Sequence, residues 1–194
     1  MSGLTFDAVS HTYRLDGKVI PGVTTILKPL NDLSHIPPEV LARKAALGTA
    51  VHTACEQVNH GTLDYDALDD EARPYVDQYL LFLEQSGFEV VLTERRVLSR
   101  KYRFAGTLDL WGYLNGRTTL ADIKTTADVY PVMGLQTAAY DLALEEQDGL
   151  KTDDRVILRL GTDQYRFEPM TARDDRSVFL AALTCHHWRL RNGN

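Results

Sequence analysis

The hydrophobic pattern of this chain runs first in helical period, switches to strand period near the middle, and then alternates between the two. Residues 1–36 form a polar, turn-rich start with strand-like pieces from Phe6 to Val19 around Asp16-Gly17, a dipeptide that signals a hairpin. Ile20-Pro21-Gly22-Val23-Thr24-Thr25-Ile26-Leu27 reads as a turn entering a short helix. Pro37-Pro38 opens a helix that reaches about Asn59, with Gly61 just beyond. Proline suits a first helical turn and glycine a helix stop. A second helix covers roughly Asp69 to Gln85, before Gly87, with Tyr75, Tyr79, Leu80 and Leu83 at helical spacing.

From Phe88 the period changes. Phe88–Ser99, Tyr102–Leu114 and Thr118–Lys124 predict three consecutive strands, separated by Ser99-Arg100-Lys101 and by Asn115-Gly116. A helix follows from about Val132 to Gln147, then strands Arg155–Leu160 and Gln164–Pro169, then a terminal helix from about Ala172 to Arg191. This order predicts a single α/β domain over residues 1–194, with a mixed central sheet flanked by helices.

A length of 194 residues suits one domain, and 44% hydrophobic residues suffice for its core. No run of about 18 apolar residues predicts a membrane span. The opening Met-Ser-Gly-Leu-Thr-Phe-Asp has no basic or apolar leader pattern, so a cytoplasmic protein away from membranes is expected. Cys55 and Cys185 have no zinc spacing, and two thiols cannot hold a four-cysteine iron–sulfur cluster. They read as two buried, apolar-like thiols.

Three acids fall in the central strands: Glu94, Asp109 and Asp122. Residues two apart on a strand share a face, so Asp122 and Lys124 project together. An antiparallel neighbour can set Asp109 beside them. Adjacent carboxylates repel and resist desolvation, and a divalent cation relieves both. Hard cations take carboxylate oxygens, keep waters and bind phosphate. With a neighbouring lysine to order water or stabilise charge, this is the chemistry that phosphodiester hydrolysis requires. Charged residues also alternate on ordinary surface strands, and Glu94 precedes Arg95-Arg96, where a surface ion pair would account for it.

Other residues are arranged in the same order around this group. Gly48-Thr49-Ala50-Val51-His52 lies on the first long helix, Gly106-Thr107-Leu108 precedes Asp109, and Gln136 and Tyr140 share a helix face. With Gly-xxx-His52, Gly106-xx-Asp109, Asp122-x-Lys124 and Gln136-xxx-Tyr140, residues 48–140 resemble the RecB-like branch of the PD-(D/E)XK nuclease superfamily. Tyr13 to Leu27 is similar, more weakly, to the start of stand-alone phage members.

The resemblance implies a restriction-endonuclease-like core and a metal-dependent deoxyribonuclease, an exonuclease of phage or bacterial recombination or repair. It implies Mg²⁺ or Mn²⁺ held by Asp109, Asp122, the Ile123 carbonyl and His52, with Lys124 as the catalytic lysine. Gln136 and Tyr140 would position the lysine or the DNA strand, and Glu94 would be an additional acid. The partners implied are single-stranded DNA or duplex ends, and a single-strand annealing or binding protein. The bland readings are a satisfied core histidine for His52, a helix-pairing acid for Glu56, and helix–sheet packing for Tyr140.

Net charge counts against a nucleic-acid ligand: 21 Lys and Arg face 27 Asp and Glu, a formal −6. Positive charge is nonetheless clustered. Arg100, Lys101, Tyr102 and Arg103 form a hairpin tip suited to a phosphate backbone, with Tyr102 placed to stack on a base, or else an ordinary solvated turn. His186, His187, Arg189 and Arg191 form a second basic group on the last helix, where they would also suit its C-terminal dipole. A non-cleaving nucleic-acid-binding module and a hydrolase of a small phosphorylated substrate are the alternative functions.

Overall fold

The computed structural model describes residues 3–8 and 10–193. Met1, Ser2, Val9 and Asn194 lie outside the described residues, and with them part of the N-terminal stretch inspected for a leader. Strands β1 (Leu4–Asp7), β2 (Thr12–Leu15) and β3 (Lys18–Ile20) open the chain, followed by the short helix α1 (Val23–Leu27) and a single 3-10 turn. Helices α2 (Pro38–His60) and α3 (Arg73–Ser86) precede β4 (Glu89–Ser99), β5 (Phe104–Leu114) and β6 (Arg117–Lys124). Then come α4 (Pro131–Asp148), β7 (Asp154–Leu160), β8 (Tyr165–Pro169) and α5 (Asp175–Asn192).

The fold is α/β, with a mixed five-stranded sheet in the order β4-β5-β6-β7-β8 and a separate antiparallel sheet β1-β2-β3. Only β6 and β7 run parallel, and a parallel pair needs a crossover, which α4 supplies. Asn115 and Gly116 both take positive φ and close the β5–β6 hairpin, as Asp16 and Gly17 close β2–β3.

Strand β6 is the centre of the sheet, and Thr119 to Ile123 are all buried. Leu120 packs on one face with Val23, Tyr140, Leu144 and Phe179, and so against α1, α4 and α5. Ala121 and Ile123 pack on the other face with Val51, Cys55, Tyr79 and Phe82, and so against α2 and α3. A carboxylate in such a strand needs built partners, because burying an unpaired charge costs several kcal/mol, an order-of-magnitude figure.

The small sheet buries Tyr13, Leu15 and Ile20 against Leu98 and Ala105 of the β4–β5 hairpin. Backbone contacts fix it there: Ala105 N–H donates to the Pro21 carbonyl at 3.1 Å, and Gly22 bridges Ala105. The turn-rich start therefore becomes a cover for one end of the large sheet.

Several boundaries differ from the sequence reading. Helix α3 starts at Arg73 because Asp69 caps a preceding turn, its carboxylate accepting Glu71 N–H at 2.7 Å. Strand β5 starts at Phe104, since Arg103 takes φ 57° and Ser99 Oγ accepts Tyr102 N–H. Helix α5 starts at Asp175, where Arg155 gathers the Met170 and Ala172 carbonyls and the Asp175 carboxylate. Cys55 is buried as expected, but Cys185 is exposed, because it lies away from the core face of α5 marked by Phe179 and Leu183. Among the described residues no helix is long and apolar enough to cross a membrane.

Candidate active site

The site forms where β5 and β6 part company. Their ladder runs from Leu114↔Arg117 to Leu110↔Ala121, one pair short of Asp109 and Asp122. Beyond that point the Ile123 N–H donates to Asp109 Oδ2 at 2.6 Å, so a carboxylate takes the place of a backbone acceptor. Pairing on the other side of β5 sets Thr93 against Leu110 and Arg95 against Leu108, which leaves Glu94 across from Asp109. Glu94 holds φ at +44°, a strained value for a residue with a β-carbon. Such strain persists where surrounding structure enforces it, and it gathers at functional sites.

His52 reaches this group from the buried half of α2. Its Nε2 donates to the Ile123 carbonyl at 3.1 Å, which fixes the tautomer and turns Nδ1 to the acids. Nδ1 lies 3.4 Å from Glu94 Oε1 and 3.6 Å from Asp109 Oδ1. Burial works against a charged ring here, but Asp109 and Glu94 outweigh it and raise the His52 pKa to about 9. Burial likewise pushes the Asp109 carboxyl up, against the pull of His52 and Lys124.

Asp122 and Lys124 form an ion pair on the α4 side. Asp122 is fully buried, and burial lifts its carboxyl to about 6 despite the adjacent ammonium. Burial also opposes the charge on Lys124, yet Asp122 and Asp109 more than compensate and raise its pKa. Gln136 donates to Asp122 Oδ1 at 3.1 Å, and its same Nε2 lies 3.0 Å from Tyr140 Oη. Burial raises the Tyr140 phenol well above its ordinary value, so it remains a neutral hydroxyl.

The structure thus brings His52, Glu94, Asp109, Asp122, Lys124, Gln136 and Tyr140 together, but it divides their duties. The expected ligand set was His52, Asp109, Asp122 and Ile123. The ligand atoms that converge within 4.8 Å of one another belong to His52, Glu94 and Asp109. Glu94 belongs in the set because of its position across the ladder. The Ile123 carbonyl instead serves as the acceptor that orients His52, and Asp122 is engaged by Lys124 and Gln136. Glu56 pairs with His60 on its own helix at 3.9 Å. Arg95 pairs with Asp148, and Arg96 lies over the Phe6 ring, so neither neutralises Glu94.

These residues fit a divalent cation. Asp122 Oδ2 is buried and meets the Lys124 ammonium. Two carboxylates and one imidazole form a donor set that could hold a metal ion.

Two features had no sequence signal. Lys124 and Gln136 border a cleft of about 1010 Å³ whose walls include Thr24, Lys28, Thr126 and Tyr130, none of which carries a motif. The Tyr13 hydroxyl meets the Thr107 hydroxyl at 2.9 Å, tying the small sheet to the strand that bears Asp109. At the hairpin tip, Arg100 stands 3.9 Å from Asp16, Lys101 Nζ lies over the Tyr102 ring, and the Lys101 N–H donates to Glu146 at 2.8 Å.

No family model matches the sequence, and no curated protein matches it. Among solved structures the chain is similar to SSO0001, at 13% identity over 70% of this chain and 71% of that one, with a TM-score of 0.36. That likeness is too weak to bear on fold or function.

Proposed function

We propose that this protein is a divalent-metal-dependent nuclease of the RecB-like PD-(D/E)XK type, acting on DNA phosphodiester bonds. One observation carries the reading. Asp109, Asp122 and Lys124 are packed together where two strands separate, with His52 and Glu94 completing a carboxylate–imidazole group. A purely structural core would fill such a position with apolar side chains, because a buried ion network contributes little net stability.

His52, Glu94 and Asp109 would hold the cation, with Asp122 as a further ligand through Oδ2. Bound there, it supplies a water of lowered pKa and neutralises charge on the phosphate. Lys124 stands at the mouth of the cleft, where its ammonium stabilises the developing phosphorane charge and orients the attacking water. Gln136 and Tyr140 hold Asp122 in place, so they are positioning residues. The cleft beside Lys124 and Gln136 accommodates the strand next to the scissile bond, and Tyr130, half exposed at its rim, offers a stacking surface.

Digestion of end-labelled linear, nicked and circular DNA with Mg²⁺, Mn²⁺ or chelator tests the reading. Metal-dependent loss of linear DNA with circles spared is the exonuclease outcome, as expected for recombination or repair. Intact DNA under all conditions, with an active-site Asp122→Asn variant indistinguishable from the parent, would overturn it.

A further inference from the structure

Two basic segments that are far apart in sequence meet in one hollow. The β4–β5 tip contributes Lys101, Tyr102 and Arg103, and α5 contributes His187 and Arg191, around about 430 Å³ floored by Leu180 and Leu183. His187 Nε2 donates to the Tyr102 carbonyl at 3.2 Å across 85 residues of sequence. Phe104 and Phe179, edge to face at 4.9 Å, lock the tip onto the helix below.

The lining of this hollow carries cations and no acid. Lys101, Arg103 and Arg191 make no ion pair among the described residues, and no acid lines the hollow. Glu146, the acid beneath the tip, accepts from Ser99 Oγ and the Lys101 N–H and does not line the hollow. Arg100 faces Asp16 instead and takes no part. On a chain of net charge −6, three unpaired cations and a histidine in one concavity select an anion.

We propose that this hollow anchors the phosphodiester backbone of a nucleic acid, outside the active site. The identity of the ligand rests on the nuclease reading; the cation cluster does not. Ser99 and Phe104 stand five residues along their strands from Glu94 and Asp109. At about 3.4 Å per residue the hollow lies roughly 17 Å from the carboxylates. A duplex covers that distance in about five base pairs at ~3.4 Å each. The hollow therefore grips DNA several base pairs from the bond that is cut. An acidic peptide would satisfy the charges but offers the active site no phosphodiester bond.

The test uses the full chain and its Arg103→Gln, Arg191→Gln double variant. Neither arginine has an ion-pair partner among the described residues, and melting temperatures check that both proteins are folded. Affinity for a short duplex is measured at several salt concentrations in chelator, by fluorescence anisotropy of the labelled DNA. The variant is expected to bind about tenfold more weakly, with the slope of log K against log salt lower by about 0.9 per lost contact. Equal affinity and slope in the two proteins would overturn the proposal. So would polyglutamate binding more tightly than DNA of equal charge. Cleavage in Mn²⁺ is read in parallel, so a parent that cuts with no dependence on the hollow refutes only the anchor. A parent that binds DNA through the hollow but never cuts it refutes only the nuclease reading.

Discussion

Asp109 Oδ2 accepts the backbone N–H of Ile123 at 2.6 Å, while its Oδ1 faces His52 at 3.6 Å. One carboxylate thus closes the gap between β5 and β6 and faces the proposed cation. Substitution separates the two duties. Asp109→Asn keeps an acceptor for Ile123 and removes the charge, so cleavage should vanish while the melting temperature holds. Asp109→Ala strands a buried N–H as well, at a cost of about 1–3 kcal/mol. Thermal melts and DNA digestion of both variants check this; an active Asn variant would remove Asp109 from the chemistry.

Lys124→Ala should slow the chemical step by about 10² or more, the scale of losing one positioned charge-stabilising or acid–base group. Mn²⁺ affinity should change far less, because Lys124 is not among the converging ligand atoms. Single-turnover cleavage and metal titration report the two quantities independently. Unaltered cleavage would count decisively against the mechanism.

His52→Ala should raise the metal concentration needed for half-maximal activity, most clearly with Mg²⁺. It removes the Nδ1 ligand and leaves the Ile123 carbonyl without its donor. Were His52 only a core residue, the melting temperature would fall while the metal dependence stayed unchanged.

In chelator, stability should fall as pH rises. The folded His52 pKa, about 9, lies above the ordinary 6.5, so its contribution is complete below 6.5 and is lost as pH climbs through 9. Asp122 acts in the same direction lower down, between its ordinary 3.8 and about 6. Divalent metal should reverse the trend, since it replaces the His52 proton and binds the ionised carboxylates. Melting temperatures from pH 6 to 9, with and without Mn²⁺, test this. A metal-free protein that gained stability over that range would contradict it.

Gly106→Ala should destabilise by about 1–3 kcal/mol, the usual cost of overpacking. A β-carbon there would lie 2.4 Å from Tyr140 Cε1 and 3.2 Å from Val23 Cγ2, and both neighbours are buried. Because Tyr140 supports Gln136 and hence Asp122, activity should drop as well. Pairing the change with Tyr140→Leu should recover melting temperature but not activity. A stable, fully active Gly106→Ala protein would show that the ring gives way easily.

What the sequence determined by itself was local. Apolar period separated helices from strands, Asp16-Gly17 and Asn115-Gly116 marked tight turns, and Asp122-Ile123-Lys124 placed an acid and a base on one face. These follow from interactions within a few residues, so composition and spacing reveal them. Tertiary structure alone decided the rest. Glu94, beside two arginines, read equally as a surface ion pair until pairing set it across from Asp109 and sent Arg95 to Asp148. Asp122 and Ile123 gained Gln136 and His52 as partners because α4 and α2 approach β6 from opposite faces. The basic tip and the basic helix end were separate segments until the packing of Phe104 on Phe179 joined them. These contacts join residues more than a dozen positions apart, and their geometry depends on how strands pair and helices seat on the sheet, which no local spacing encodes.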